Sequence, residues 1–399
     1  MSDRLSSQPF LNMLGNSGQE LIQHFSRSMF LGVGSDYHHS HRFWEKVERR
    51  QVDSLENRHE PFCNENRHHD LDIISAFGSS TPKSNNYLLH FAPGWDSNLH
   101  KTPVLLVHGA GLDATSFTDL FAMGYTGLQQ QLIAMGYRVF AVTFSHLHGD
   151  NYVQAEQLAD AIARVKEATG QNKVNLVAHS KGGMAARIYL CGLAHTPYQD
   201  DVNRYIMLGT PNLGVDFTFR NPLVNYLIYT SSSSGVMAWD RLMVFGAMVD
   251  VTSRAIYKDG CFPGQSQMLY RWDGEYGIDP MQPDWWTTYY GGAGLFSHSR
   301  GINQAIADGG NMIEVLNRHG LPPEIEFSVL AGSKHLFHGV PGDESGPGDG
   351  LVFVDSVFYT DSLAREGARL RDKCVLPVNH MQLLYSERVC RWVDLQLQE

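Results

Sequence analysis

Six short apolar runs, spaced by stretches of helical character, constrain this chain more than any other feature. They are 103–108 (PVLLVH), 138–144 (RVFAVTF), 173–178 (KVNLVA), 204–208 (RYIML), 326–331 (EFSVLA) and 374–378 (CVLPV). Each is apolar on consecutive residues, not alternate ones. A strand with one wet face alternates in polarity, whereas a strand covered on both faces does not. Between the runs, 155–168 and 182–193 read as helices. Buried strands alternating with helices demand a mostly parallel, twisted sheet with helices on both faces, an α/β fold. A chain of 399 residues, 43% of them hydrophobic, carries enough apolar surface for that core.

The flanking segments read differently. Residues 1–60 look helical and amphipathic, with Leu21, Ile22, Phe25 and Met29 on one stripe, and 41–55 reads as a second helix. Such helices either pack on the main domain or lie at a lipid interface. Residues 56–70 are polar and read as a connector, and 71–77 and 86–92 as a hairpin around the turn-rich 78–85. Between the fourth and fifth runs lies an irregular segment, about 214–321, containing Trp239, Trp272, Trp285, Trp286, Tyr289 and Tyr290. It is too long for a strand-to-helix loop and reads as an inserted cap or lid. The expected organisation is therefore 1–70 as an N-terminal helical extension and connector, and 71–399 as the α/β domain with its insertion.

Several function classes are disfavoured. A net charge of −11 without a Lys/Arg cluster argues against nucleic acid as a partner. Five scattered cysteines without C-x-x-C spacing argue against a disulfide scaffold or a cysteine zinc site. His38, His39 and His41, with His68, His69 and Asp70, lack a recognised ligand spacing and read as solvated loop residues, so no metal is expected. There is no G-x-x-x-x-G-K-[ST] and no G-x-G-x-x-G, and no organic cofactor is expected. No run approaches a membrane span, and the N-terminus lacks the form of a secretory signal. If Met1 is native the protein is expected in the cytoplasm; a secreted mature form is the alternative.

The strongest local signal is 174–183 (VNLVAHSKGG), a buried strand running through Ala178, His179, Ser180, Lys181 and Gly182 into a helix. This is the nucleophile elbow G-x-S-x-G with Ala at the first position. Small residues two before and two after the serine permit a sharp turn that lifts its hydroxyl off the sheet. The same arrangement in the α/β-hydrolase fold uses two backbone N–H groups as an oxyanion hole, one after the serine and one from the loop behind the third strand. Here these belong to Lys181 and to Ala110, in the sequence His108-Gly109-Ala110-Gly111 that follows 103–107.

A serine at neutral pH needs a base, and the base needs an orienting carboxylate. In this fold they follow the serine in the order acid, then histidine. Asp349 closes the Gly/Pro-rich loop 339–350, with Asp343, Glu344 and Asp355 as rivals. His380 follows the last apolar run, whereas His335 and His338 precede every acid candidate.

Taken together, VNLVAHSKGG, 207–214 (MLGTPNLG), GDGLV around Asp349 and VNHM around His380 resemble bacterial true lipases, in the subgroup whose elbow begins with Ala. There is some likeness to polyhydroxyalkanoate depolymerases. The resemblance covers roughly 100–215 and 325–385. It implies an α/β-hydrolase, leaves the first 95 residues and the insertion at about 214–321 outside, and maps nucleophile, acid and base onto Ser180, Asp349 and His380. It further implies a carboxylic-ester hydrolase acting on a small-molecule or lipid ester, with contact to a lipid interface. A polyester depolymerase or acyltransferase with the same triad is the alternative, and a non-catalytic binding protein a more distant one. Many such lipases carry an Asp two residues after the histidine as a ligand for structural calcium; here that position is Gln382, a poorer ligand.

Overall fold

Eight strands form one sheet in the order β1-β2-β4-β3-β5-β6-β7-β8. They are β1 Lys46–Gln51, β2 Asn86–Phe91, β3 His100–Val107, β4 Tyr137–Phe144, β5 Val174–His179, β6 Val202–Leu208, β7 Glu326–Gly332 and β8 Arg369–Leu376. β2 runs antiparallel to both of its neighbours, and all other pairings are parallel. This is the strand order and mixed polarity of an α/β-hydrolase. The structure is a computed structural model, and it describes residues 43–398 apart from 63–65, 121–123, 221–255, 258–259, 283, 295–297 and 336–344. The stripe of Leu21, Ile22, Phe25 and Met29, the histidines His38, His39 and His41, and the candidates His338, Asp343 and Glu344 lie outside the described residues.

The consecutive apolar residues of the central strands serve two different layers. On β3, Val104 and Leu106 face a core shared with Leu128 and Leu132 of α2 (Leu128–Ala134) and with Val389 and Val393 of α5 (Glu387–Leu397). Leu105 and Val107 face the opposite core, with Leu158, Ile162 and Val165 of α3 (Asn151–Thr169) and Met184 and Ile188 of α4 (Lys181–Leu190). All six residues of β5 are buried. Two covered faces leave no position for alternating polarity.

Three local expectations fail for identifiable reasons. The helix expected over 41–55 contains instead β1 (KVERRQ), an edge strand paired with β2 from Lys46↔Phe91 to Gln51↔Asn86. Its charges suit an edge: Lys46 lies 4.8 Å from the Phe91 ring centre, and Glu48 pairs with Arg164 of α3 at 2.9 Å. The strand expected over 71–77 is a helix, α1 (Leu71–Phe77). Asp70 caps it by accepting from Asp72 and Ile73 N–H, and Gly78 closes it in the left-handed region. The last strand begins at Arg369, earlier than its apolar part, because its first residues are charged edge positions.

Within the insertion, Pro263–Gln267, Trp285–Tyr290, Ile302–Asp308 and Met312–Asn317 are short helices, and Gly292–Ala293 pairs with His298–Ser299 as a two-stranded ribbon. The insertion packs on the loop after β4 and the start of α3: Gly264 N–H donates to His148 O at 3.0 Å, and Asn151 Nδ2 donates to Gly264 O at 3.1 Å. That loop lies at the carboxyl ends of the strands, where the functional candidates gather.

Candidate active site

β5 delivers the chain to a turn at Ser180, with φ 53° and ψ −126°, a region that L side chains seldom occupy. The strained residue is held from both sides. Ser180 N–H donates to Leu208 O on β6 at 2.9 Å, and Ser180 O accepts from Gly183 N–H at 3.0 Å. Ser180 is half-buried at the start of α4, between the fully buried His179 and Lys181. The Lys181 amide is among the first of α4, which a helix leaves without internal acceptors.

The loop after β3 is fixed by a histidine that was not singled out from the sequence. His108 Nε2 accepts Phe144 N–H at 3.1 Å, so the ring proton sits on Nδ1 and donates to Gly109 O at 2.8 Å. Burial, the largest cause, pushes the His108 ring down to about 4, so it is neutral near pH 7. The C=O and N–H of a trans peptide point in opposite directions. Anchoring the Gly109 carbonyl therefore sets the direction of the Ala110 N–H.

Asp349 and His380 meet directly. His380 Nδ1 lies 2.7 Å from Asp349 Oδ2, and both side chains are buried. The carboxylate is fixed in turn: Asp349 Oδ1 accepts from Leu351 N–H at 3.1 Å and Val352 N–H at 2.8 Å. With Nδ1–H donating to the carboxylate, Nε2 is left as the acceptor of the ring. His380 N–H also donates to Asp349 O at 3.0 Å. Of the rival acids, Asp355 is exposed and accepts from Tyr276 OH. His335 lines a cavity of about 20 Å³ with Arg220 and Phe353, and among the described residues no hydrogen bond joins it to Asp349 or His380.

Gly209, in the turn after β6, makes room for the pair. It has φ 60°, and a Cβ there would come 3.1 Å from Asp349 Oδ2, 3.2 Å from His380 Cε1 and 2.7 Å from Leu383 Cδ1. A second unforeseen group lies beneath the elbow. The Lys181 side chain runs inward, and its Nζ donates to Gln154 Oε1. Burial pushes this amine down to about 7, against the opposing pull of Glu60 and Asp150. Burial pushes the Glu60 carboxyl up to about 7, while Asp150 N–H donates to its Oε1 at 2.6 Å.

Glu60 belongs to the segment read as a polar connector, and within it the reading of His68 as a solvated loop residue needs correction. Asn66 and His68 are buried, and His68 Nε2 donates to Ser145 O at 2.8 Å. Glu60, Asn66 and His68 meet groups of the loop after β4 and its surroundings, whereas Glu56, Asn57, Arg58, His59, Arg67 and His69 are exposed.

Residues 101–214, which hold the Ser180 turn and the loop after β3, match the family Lipase (class 2). A triacylglycerol lipase of Pseudarthrobacter phenanthrenivorans is 36% identical over 150 residues, 37% of this chain and 44% of that protein. One of Burkholderia plantarii is 36% identical over 150 residues, 39% of its length. The chain has the α/β-hydrolase fold, and its residues 101–214 resemble the class 2 lipases. It spans less than half the length of these curated relatives. Among solved structures, the mature form of a Bacillus licheniformis lipase is similar over 78% of this chain and 97% of its own, at 17% identity and a TM-score of 0.45.

The turn that follows His380 does not fit a calcium site. Gln382 Oε1 accepts Asn379 N–H at 3.0 Å, and Asn379 Oδ1 accepts Met381 N–H at 3.2 Å and Gln382 N–H at 2.9 Å. The amide that would face an ion is thus engaged inside its own turn, and it carries no charge. Met381, Leu383 and Leu384 anchor the turn in the core.

Proposed function

We propose that the protein is a carboxylic-ester hydrolase working through an acyl ester on Ser180. The observation that carries this reading is the buried 2.7 Å contact between His380 Nδ1 and Asp349 Oδ2, on loops flanking the strained Ser180 turn. His380 Nε2 takes the hydroxyl proton as Ser180 Oγ attacks the ester carbonyl carbon, and Asp349 steadies the resulting imidazolium. The N–H groups of Ala110 and Lys181 receive the oxyanion. As the tetrahedral intermediate collapses, the carbon–oxygen bond to the alcohol breaks and His380 returns the proton to it. Water, deprotonated by the same base, then attacks the acyl ester and releases the acid and Ser180.

The class 2 lipase match and the triacylglycerol lipases among the relatives support a lipid or other apolar ester as substrate. So does the insertion, where Met281 is 84% and Trp286 56% exposed, the amphipathic display suited to a lipid interface. Among the described residues no helix is long and apolar enough to cross a membrane. Turnover of a short ester, a long-chain triglyceride and a polyhydroxyalkanoate, with Ser180→Ala as control, tests the proposal. Ester turnover should fall by ~10⁶ in the variant, as in other triads. Turnover within about tenfold of wild type would mean that another group attacks.

A further inference from the structure

His179 precedes Ser180, at an elbow position that acyl transfer does not require to be any particular residue. Its side chain is nevertheless buried and touches two other elements of the site. His179 Nε2 lies 3.1 Å from His380 O. A carbonyl only accepts, so Nε2 carries the proton and donates. The two imidazole rings lie 4.6 Å apart between centres, inclined at 46°. On the other edge, a Cβ on Gly109 would come 2.8 Å from His179 Nδ1, so the oxyanion loop rests against the ring.

Packing alone does not explain this histidine. Among the described residues its buried Nδ1 has no hydrogen-bond partner, which costs about 1–3 kcal/mol that a leucine or phenylalanine would not incur. Burial, followed by the neighbouring His380, holds the ring well below the usual imidazole range, so the donor at Nε2 does not come and go with pH near neutrality.

We propose that His179 is a positioning residue that staples the base loop to the nucleophile strand through its bond to the His380 carbonyl. The inference rests on the acyl-serine reading above. Asp349 holds His380 twice, by the ring and by the backbone N–H, and both bonds come from the acid loop. Met381, Leu383 and Leu384 seat the base turn in the core, but neither bond links the pair to the strand that carries Ser180. The His179 bond makes that link, at the residue adjoining the nucleophile. A displacement near 1 Å at such a contact can cost about 10²-fold in rate.

Glutamine, asparagine and phenylalanine at position 179 separate stapling from packing. The Gln amide nitrogen reaches the place of imidazole Nε2, whereas the Asn amide reaches only that of Nδ1, and Phe keeps the ring without a donor. His179→Asn and His179→Phe should lose ~10–100-fold in kcat with KM changed by less than about threefold. The rate of fluorophosphonate capture, which needs the same serine–base contact, should fall in parallel. His179→Gln should recover to within about fivefold of wild type. Wild-type kcat in His179→Asn, or His179→Gln as impaired as His179→Asn, would overturn the staple. The Gln/Asn comparison decides the matter even if His179→Phe does not fold. A wild-type protein that fluorophosphonate does not label would instead overturn the acyl-serine reading itself.

Discussion

Gly209→Ala places one methyl group where the acid, the base and the base loop converge. Two costs can be worked out from the structure. At φ 60° an alanine pays about 1–2 kcal/mol for the left-handed backbone. Its Cβ would also stand 2.7 Å from Leu383 Cδ1, with Asp349 Oδ2 and His380 Cε1 just beyond at 3.1 and 3.2 Å. Leu383 is fully buried and cannot turn away freely, so overpacking adds about 1–3 kcal/mol. The sum, ~2–5 kcal/mol, should lower Tm by ~2–6 °C in thermal unfolding of a chain this long. The neighbours that must yield are the acid and the base, so kcat on a chromogenic ester should fall by ~10–100-fold in the fraction that stays folded. Leu383→Val in the same chain should relieve part of the crowding but none of the backbone strain, giving partial recovery. A Gly209→Ala protein with wild-type Tm and wild-type kcat would refute the reasoning.

Asp349→Asn should lower kcat by ~10⁴ by favouring the wrong tautomer of His380, whereas Asp343→Asn and Asp355→Asn should cost little; steady-state kinetics on the three variants ranks them. Glu60 has a folded pKa raised from 4.5 to about 7, so its contribution to stability is full below about pH 4.5 and is lost as pH rises through about 7. Glu60→Gln keeps an acceptor for Asp150 N–H, and its Tm relative to wild type should therefore be more favourable at pH 8 than at pH 5; no such change with pH would contradict the burial argument. A chelator should leave Tm and activity unchanged, because Gln382 is engaged by Asn379. Leu383→Ala should lose ~2–5 kcal/mol and Gln382→Ala only ~1 kcal/mol in denaturant titrations.

The central strands were legible because burial on both faces writes itself as consecutive apolar residues. β1 and the start of β8 were not, since KVERRQ and RLRD gain their place from pairing and from ion pairs with α3 and β7 that no local window contains. α1 was misread because its two isoleucines favour a strand, while the decisive signals were single capping residues, Asp70 and Gly78. Ser180, Asp349 and His380 could be ordered along the chain because the fold brings strand ends together in a fixed sequence. The residues that hold them could not be found this way. His108, His179, Gly209 and Glu60 act through partners many residues distant or through a backbone carbonyl, and neither leaves a spacing to read. The His-Gly dipeptide after β3 was the nearest available signal: it marked the loop without revealing what the imidazole holds.

The central claim is that Ser180 forms a covalent acyl adduct with His380 as its base. A fluorophosphonate probe followed by peptide mass mapping tests it most directly. One adduct per chain should appear on the peptide carrying Ser180, disappear in Ser180→Ala, and form orders of magnitude more slowly in His380→Ala. A probe adduct on any other residue, or none on the folded wild-type protein, would contradict the account.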